Sequence, residues 1–252
     1  MKGILLINLG SPRHNNLKSV KKFLKEFLND KFVINLPKPL RSFIVNFIVV
    51  PFRSPKTLKA YRSIWSDKES PIIKNTRSIG IKLQDLVSKP VEISMRYQKP
   101  SIESALVKLS DKGCDEITAI PLYPHYAMSS SLTSINKIRE SNEKLGLKLK
   151  INFIESFYND HNYIKALSEK IKTNIPKNLD YLLFSYHGLP NSHLLQTDPT
   201  KSHCLKSDNC CESHSDAKRF CYKSQVLETS RLCSSYLELK DHEWGVSFQS
   251  RL

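Results

Sequence analysis

Short apolar runs alternate with amphipathic stretches from the first residues of the chain onward. Residues 2–9 are apolar and β-branched and close on Gly10-Ser11-Pro12, the pattern of a buried strand turning into a loop. Residues 17–28 carry Val20, Phe23, Leu24, Phe27 and Leu28 at helical spacing, with lysines on the opposite face. The stretch 37–55 is apolar, basic and punctuated by prolines, and is expected to be irregular. Helical spacing returns over 75–86. Strand patterns then follow at 91–97, 116–122, 149–154, 181–186 and 245–249, separated by helical patterns at 101–109, 132–147, 163–173 and 222–239. Ser101 reads as an N-cap, and Gly113 falls just past the end of its helix. Strands alternating with helices in this way predict an α/β fold with doubly wound parallel sheets.

The pattern partly repeats. Ile4–Pro12 reads ILLINLGSP and 181–190 reads YLLFSYHGLP, each an apolar strand broken by Gly-x-Pro. The strands that follow, VEISMRY and WGVSFQSR, each carry an arginine near the end. Two similar Rossmann-like domains are therefore expected, at 1–155 and 156–252, although buried parallel strands resemble one another in any such fold. The second half reaches only its first two strands, and Leu252 falls in a strand-like run. A central strand ending there would miss a ladder partner. The second domain is thus expected to be incomplete by roughly 60–70 residues.

Lys and Arg number 39 against 24 Asp and Glu, a net charge of +15. That excess suits an anionic partner: nucleic acid, an acidic membrane or a carboxylated ligand. A merely solubilising basic surface explains it as well. A basic nucleic-acid-binding α/β protein is the reading of a different class, and no RNA-binding signature supports it. Hydrophobic residues at 40% exclude global disorder. The opening apolar run is too short for a signal peptide. The longest run, 43–52, is broken by Asn46 and Pro51 and falls far short of the ~20 residues that span a bilayer. A cytoplasmic location is expected, with reduced thiols, so the six cysteines call for an explanation other than disulfides.

Candidate chemistry gathers at strand ends. His187 closes the strand FSYH ahead of Gly188-Leu189-Pro190, where ligands bind in open α/β sheets. A neutral imidazole there accepts a proton or binds a metal; a hydrogen-bonded structural histidine at a turn is the plain alternative. Arg96 and Tyr97 end another strand, a fork for a carboxylate beside a ring for stacking, or else a surface ion pair. Residues 121–131, PLYPHYAMSSS, make a rigid, hydroxyl-rich loop suited to an anion or the rim of an aromatic ligand, or simply a turn and helix cap at Ser130 or Ser131. Cys204, Cys210, Cys211 and Cys221 fall in the pattern C-x5-C-C-x9-C. Four reduced thiols this close suggest a soft metal. The readings are a [2Fe–2S] cluster, zinc with His203 or His214 replacing a thiol, or unligated thiols. Cys114 and Cys233 read as buried apolar residues.

Taken together, ILLINLGSP (4–12), YRSIWSDKESPI (61–72), SMRYQKPSIESAL (94–106), ITAIPLYPHYAMSSS (117–131), FSYHGLP (184–190) and SFQSR (247–251) resemble the ferrochelatases. The resemblance spans essentially the whole chain. It implies two Rossmann-like domains with a porphyrin cleft between them, and insertion of ferrous iron into protoporphyrin IX to give protohaem. It implies that His187 abstracts pyrrole protons or delivers the metal. It puts Leu9 against the macrocycle opposite that histidine, and makes Arg96, Tyr97, Tyr123 and Ser130 substrate-site residues. The apolar stretch within 37–55 matches the family's active-site lip, which can touch membrane; otherwise it is a core helix. The segment 203–222 is similar to a cysteine-rich insertion that carries a [2Fe–2S] cluster in some bacterial members. The family's catalytic Glu lies in a later segment, and no Glu in this sequence is nominated for it. An inactive fragment that only binds porphyrin is the accompanying alternative. No nucleic-acid partner is implied.

Overall fold

A computed structural model describes residues 1–65, 69–176 and 178–249. Part of the 61–72 motif, and Arg251 with the end of SFQSR, lie outside the described residues. The chain divides into two compact units, Met1–Leu122 with Ser129–Glu155, and Tyr123–Met128 with Ser156–Leu252. A single break after residue 155 would count Tyr123–Met128 with the first domain, whereas that segment packs with the second unit.

The first unit is built on β1 (Lys2–Gly10), β2 (Val91–Tyr97), β3 (Glu116–Pro121) and β4 (Lys150–Phe153), all parallel in the order β2-β1-β3-β4. β1 is flanked on both edges, and Leu5, Leu6 and Ile7 are at most 2% exposed, so both of its faces are covered. One face packs under α5 (Ile102–Asp111) and α6 (Thr133–Lys144), with Leu5, Ile7, Leu106, Ile117 and Ile138 in a single core. A second core joins Tyr97 to α1 (Leu17–Leu28) through Val20, Phe23 and Leu24. Local signals set the helix ends. Asn16 accepts from the Ser19 N–H at 2.9 Å to cap α1, and Ser101 caps α5 from its Oγ. Gly10 turns the chain off β1 with φ +100°, and a Cβ there would stand 2.1 Å from the Tyr97 carbonyl, so only glycine fits.

The expected irregular stretch is instead helical. Lys38–Phe43 forms α2, Ile44–Val49 a π-helical segment and Val50–Ile64 α3. Pro39 falls in the first turn of α2, where a missing N–H costs nothing, and Pro51 follows directly on the π-helical segment. The Val50 N–H bonds five residues back to Val45, and the Ser54 hydroxyl donates to the Val50 carbonyl, so the interior Pro55 is tolerated. Proline spacing alone did not reveal this. α4 (Pro71–Leu86) follows. Among the described residues, no helix is long and apolar enough to cross a membrane.

The second unit holds β5 (Leu182–His187) and β6 (Trp244–Gln249), parallel to each other, with α7 (His161–Lys172), the short α8 (Asn191–Thr197) and α9 (Tyr222–Tyr236). β5 was expected to be buried on both faces, but its burial alternates. Leu182, Phe184 and Tyr186 are half-buried on the face that meets α9, where Tyr186 pairs with Ser230 at 2.8 Å. Leu183, Ser185 and His187 are exposed on the other face. Among the described residues only two strands pair here, and the helices of the unit leave that face uncovered. The helix α8 was not anticipated; its seven residues carry too little periodicity to register.

Candidate functional site

His187 is the last residue of β5, in register with Gln249 of β6. The chain turns away immediately, with the Gly188 N–H donating to the Gln249 carbonyl at 2.7 Å. The imidazole is exposed on the open face of the pair, at the carboxyl end of a parallel strand. Behind it, Gly188, Leu189 and Leu194 share a cavity of about 240 Å³ with Leu205 and Tyr222, which sit next to two of the cysteines. The histidine loop and the cysteine loop therefore wall one cavity.

A second histidine, His125, sits on the covered side of the same unit. Its ring is edge-on to Tyr186 and Tyr222, with centroids 5.5 and 5.9 Å away. The Thr229 hydroxyl donates to the Tyr158 carbonyl at 2.7 Å, so it accepts from His125 at 2.9 Å, which places the proton on Nε2. Burial pushes this imidazole down to about 4. The folded value lies below the ordinary 6.5, so as pH falls the unfolded chain takes the proton first. Stability is expected to be intact above pH 7 and to fall between pH 6.5 and 4 by on the order of 3 kcal/mol. Denaturant unfolding at pH 7 and 4.5 checks this: His125→Gln should shrink the difference, and an unchanged difference would refute it.

In the first unit, Arg96 and Tyr97 come together around a residue that sequence reasoning missed. Asp30, just past the end of α1, has a side chain only 4% exposed. Its Oδ2 accepts from Arg96 Nη2 at 2.5 Å, the Tyr97 hydroxyl at 2.8 Å and the Thr133 hydroxyl at 2.5 Å; its Oδ1 accepts from the Phe32 N–H at 2.8 Å. Arg96 Nε also donates to Thr133, and the guanidinium lies 4.4 Å from the Tyr97 ring centroid. The fork expected to face a ligand carboxylate is thus engaged by a protein carboxylate. Tyr97 is wholly buried and offers no face to a ligand; burial pushes its phenol well above the usual range. The ion pair is a buried one, not the surface pair weighed as its alternative. Leu9 packs half-buried against the core that contains Tyr97. Ser130 lies in the π-helical turn Met128–Leu132 and accepts from the Ser134 hydroxyl at 2.8 Å through its carbonyl. Tyr123 is half-buried in the segment that belongs to the second unit.

The cysteine loop folds into its own small core of Leu194, Cys204, Ala217 and Cys221. Cys210 is also buried, Cys211 is half-buried, and all six cysteines of the chain are free thiols. Cys221 caps α9, taking the Ser224 N–H at 3.5 Å. The thiols of Cys211 and Cys204 donate to Cys221, which lowers the Cys221 thiol, while Cys211 rises as the donor and Cys204 rises through burial. The four positions are therefore neighbours, but among the described residues no three His, Cys, Asp or Glu side chains meet at metal-binding spacing. His203 Nε2 is 2.8 Å from the Cys210 carbonyl, so this ring is engaged with backbone, not with a metal. Cys114 and Cys233 are buried apart from this loop, as expected of small apolar residues.

A protein-family model described as ferrochelatase matches residues 1–252. The chain is 37% identical over 254 residues to a ferrochelatase of Pseudomonas syringae pv. tomato, covering 99% of this chain and 73% of that protein. It is 38% identical over 251 residues to one of Stutzerimonas stutzeri, with 99% and 73% covered. A ferrochelatase of Opitutus terrae is 39% identical over 254 residues, with 100% and 74% covered.

Proposed function

The chain belongs to the ferrochelatase family, and from that premise we infer that it inserts ferrous iron into protoporphyrin IX to give protohaem. The family match over the whole chain carries this reading, and the nucleic-acid alternative has no comparable support. The reaction exchanges two pyrrole N–H protons for one Fe2+. It needs a base for the protons and a surface that favours a bent macrocycle, whose nitrogen lone pairs then point at the metal. We assign the base to His187: it sits at a strand's carboxyl end, exposed to an incoming ligand, and Gly188 leaves room for close approach. Haem formation from ferrous iron and porphyrin, followed by absorbance, tests the activity. Porphyrin consumed without a metalloporphyrin product would overturn it.

We further propose that Cys204, Cys210, Cys211 and Cys221 hold a [2Fe–2S] cluster. The thiols fit such a group by chemistry. They are four soft donors on one short loop, with Cys204 and Cys221 sharing a small core, Cys221 disposed to the thiolate, and a backbone N–H, that of Ser224, aimed at its sulfur. When bound, the cluster would supply one-electron redox chemistry and a cross-link across the loop. Anaerobically purified protein is expected to be coloured and to contain about two irons and two sulfides per chain, with both lost in Cys221→Ser. Colourless protein, or protein with zinc, would refute this.

The membrane is proposed as a peripheral partner, with the protein at its cytoplasmic surface. The helical stretch 38–64 leaves Phe43, Phe47 and Phe52 at 56, 69 and 82% exposed, with Arg53, Lys56 and Lys59 also exposed. An apolar stripe beside cations suits an anionic lipid surface. Co-sedimentation with phosphatidylglycerol vesicles should be about tenfold weaker for the Phe47→Ser/Phe52→Ser double variant. Equal partition of both proteins would discount the surface.

A further inference from the structure

The geometry points to Asp198 as a positioning residue of the cysteine centre: it fixes the backbone that carries Cys204 and Cys210, and its fixed negative charge makes the bound centre harder to reduce. This rests on the [2Fe–2S] reading proposed above. Asp198 follows α8 and is 5% exposed. Its Oδ1 accepts from the Thr200 N–H at 2.9 Å and the Thr200 hydroxyl at 2.7 Å. Its Oδ2 accepts from the His203 N–H at 3.0 Å and the Cys204 N–H at 2.8 Å. One carboxylate therefore closes the seven-residue turn 198–204 on itself and ends on the amide of a cluster ligand. The next link is His203, whose backbone is fixed by Asp198 and whose ring donates to the Cys210 carbonyl at 2.8 Å. Two of the four cysteines are thus held through one buried side chain, by contacts outside the thiols themselves.

Both effects follow from elementary chemistry. Ligands whose backbone is already ordered bind a metal centre more tightly, and loss of an outer contact of this kind typically weakens metal binding about 10–100-fold. A buried carboxylate next to a ligand's amide also repels the electron that reduction adds, and in a low-dielectric core that repulsion is poorly screened. An Asn at 198 keeps one acceptor oxygen for the His203 and Cys204 amides but lacks the charge; an Ala lacks both.

Wild type, Asp198→Asn, Asp198→Ala and the exposed control Asp208→Asn are purified anaerobically. Iron and sulfide content, melting temperature, iron release to EDTA and the midpoint of a dithionite titration are then compared. Asp198→Asn is expected to keep its iron and shift its midpoint positive. Asp198→Ala should release iron about tenfold faster. Asp208→Asn should match wild type in both. If Asp198→Ala does not fold, the midpoint of Asp198→Asn decides. Wild-type midpoint and release rate in the Asp198 variants, with a cluster present throughout, would overturn the role of Asp198 and leave the cluster reading standing. Wild-type protein lacking iron and sulfide would overturn the cluster reading and this inference with it.

Discussion

His187→Ala is expected to lower the rate of haem formation by roughly 10²–10⁴-fold, the usual contribution of a positioned general base. Stability should barely change, because the ring is exposed at the end of β5 and supports no core. This separation gives the experiment its meaning. A folded, porphyrin-binding variant that no longer makes haem assigns the proton transfer to this side chain. His187→Gln should be similarly slow, since an amide can hydrogen-bond but cannot take a proton at neutral pH. Haem formation at the wild-type rate in either variant would remove His187 from the chemistry. The variant His125→Gln makes a useful contrast: that histidine is buried and held neutral, so its loss should act mainly on stability.

Asp30→Ala is expected to be the most destabilising single change in the first unit, by about 3–5 kcal/mol. Three groups donate to one Asp30 oxygen, and removing the carboxylate leaves the Arg96 charge, the Tyr97 phenol and the Thr133 hydroxyl without that partner. The Arg96 side chain is only 14% exposed, so water does not readily replace the lost contact. A melt monitored by circular dichroism should drop by about 6–20 °C, at roughly 2–4 °C per kcal/mol for a chain of this size. The double variant Asp30→Ala/Arg96→Met should recover part of the loss, because the stranded charge goes with it. A loss below about 1 kcal/mol for Asp30→Ala would show that the network adds little to stability.

The unequal legibility of this chain has a consistent physical origin. Signals confined to a few neighbouring residues were readable. The apolar run and Gly10 locate β1 and its turn, because a β-branched run and a backbone at φ +100° are local preferences. Ser101 at an N-cap and the 3.6-residue period of α1 are equally local. The alternation of strand and helix leads to the parallel sheet, and the ordered motifs from ILLINLGSP to FSYHGLP lead to the family. The proximity in sequence of Cys204, Cys210, Cys211 and Cys221 is likewise visible without tertiary information, although an extended chain of this length could still hold them about 30 Å or more apart, so their meeting is left to the fold.

What depended on distant partners could not be read. The stretch 37–55 forms helix because a π-helical segment and the Ser54 hydroxyl accommodate its prolines, a local conflict resolved by packing against α1. β5 has the composition of a buried strand, yet its exposure depends on how many strands and helices flank it, which its own residues do not encode. Asp30 looks like any loop aspartate until Arg96, 66 residues later, arrives beside it. Arg96 and Tyr97 stand out in the sequence as a cation and a ring at a strand end, but whether such a fork meets a ligand or a protein carboxylate depends on that arrival. Asp198 falls between: Asp-Pro-Thr is a readable turn signal, while the Cys204 amide at its other oxygen is set by the folded loop. Short-range propensity and pattern specify the elements and the chemistry they carry. Only the closing of long loops by burial and hydrogen bonding decides which charged and thiol groups become each other's partners.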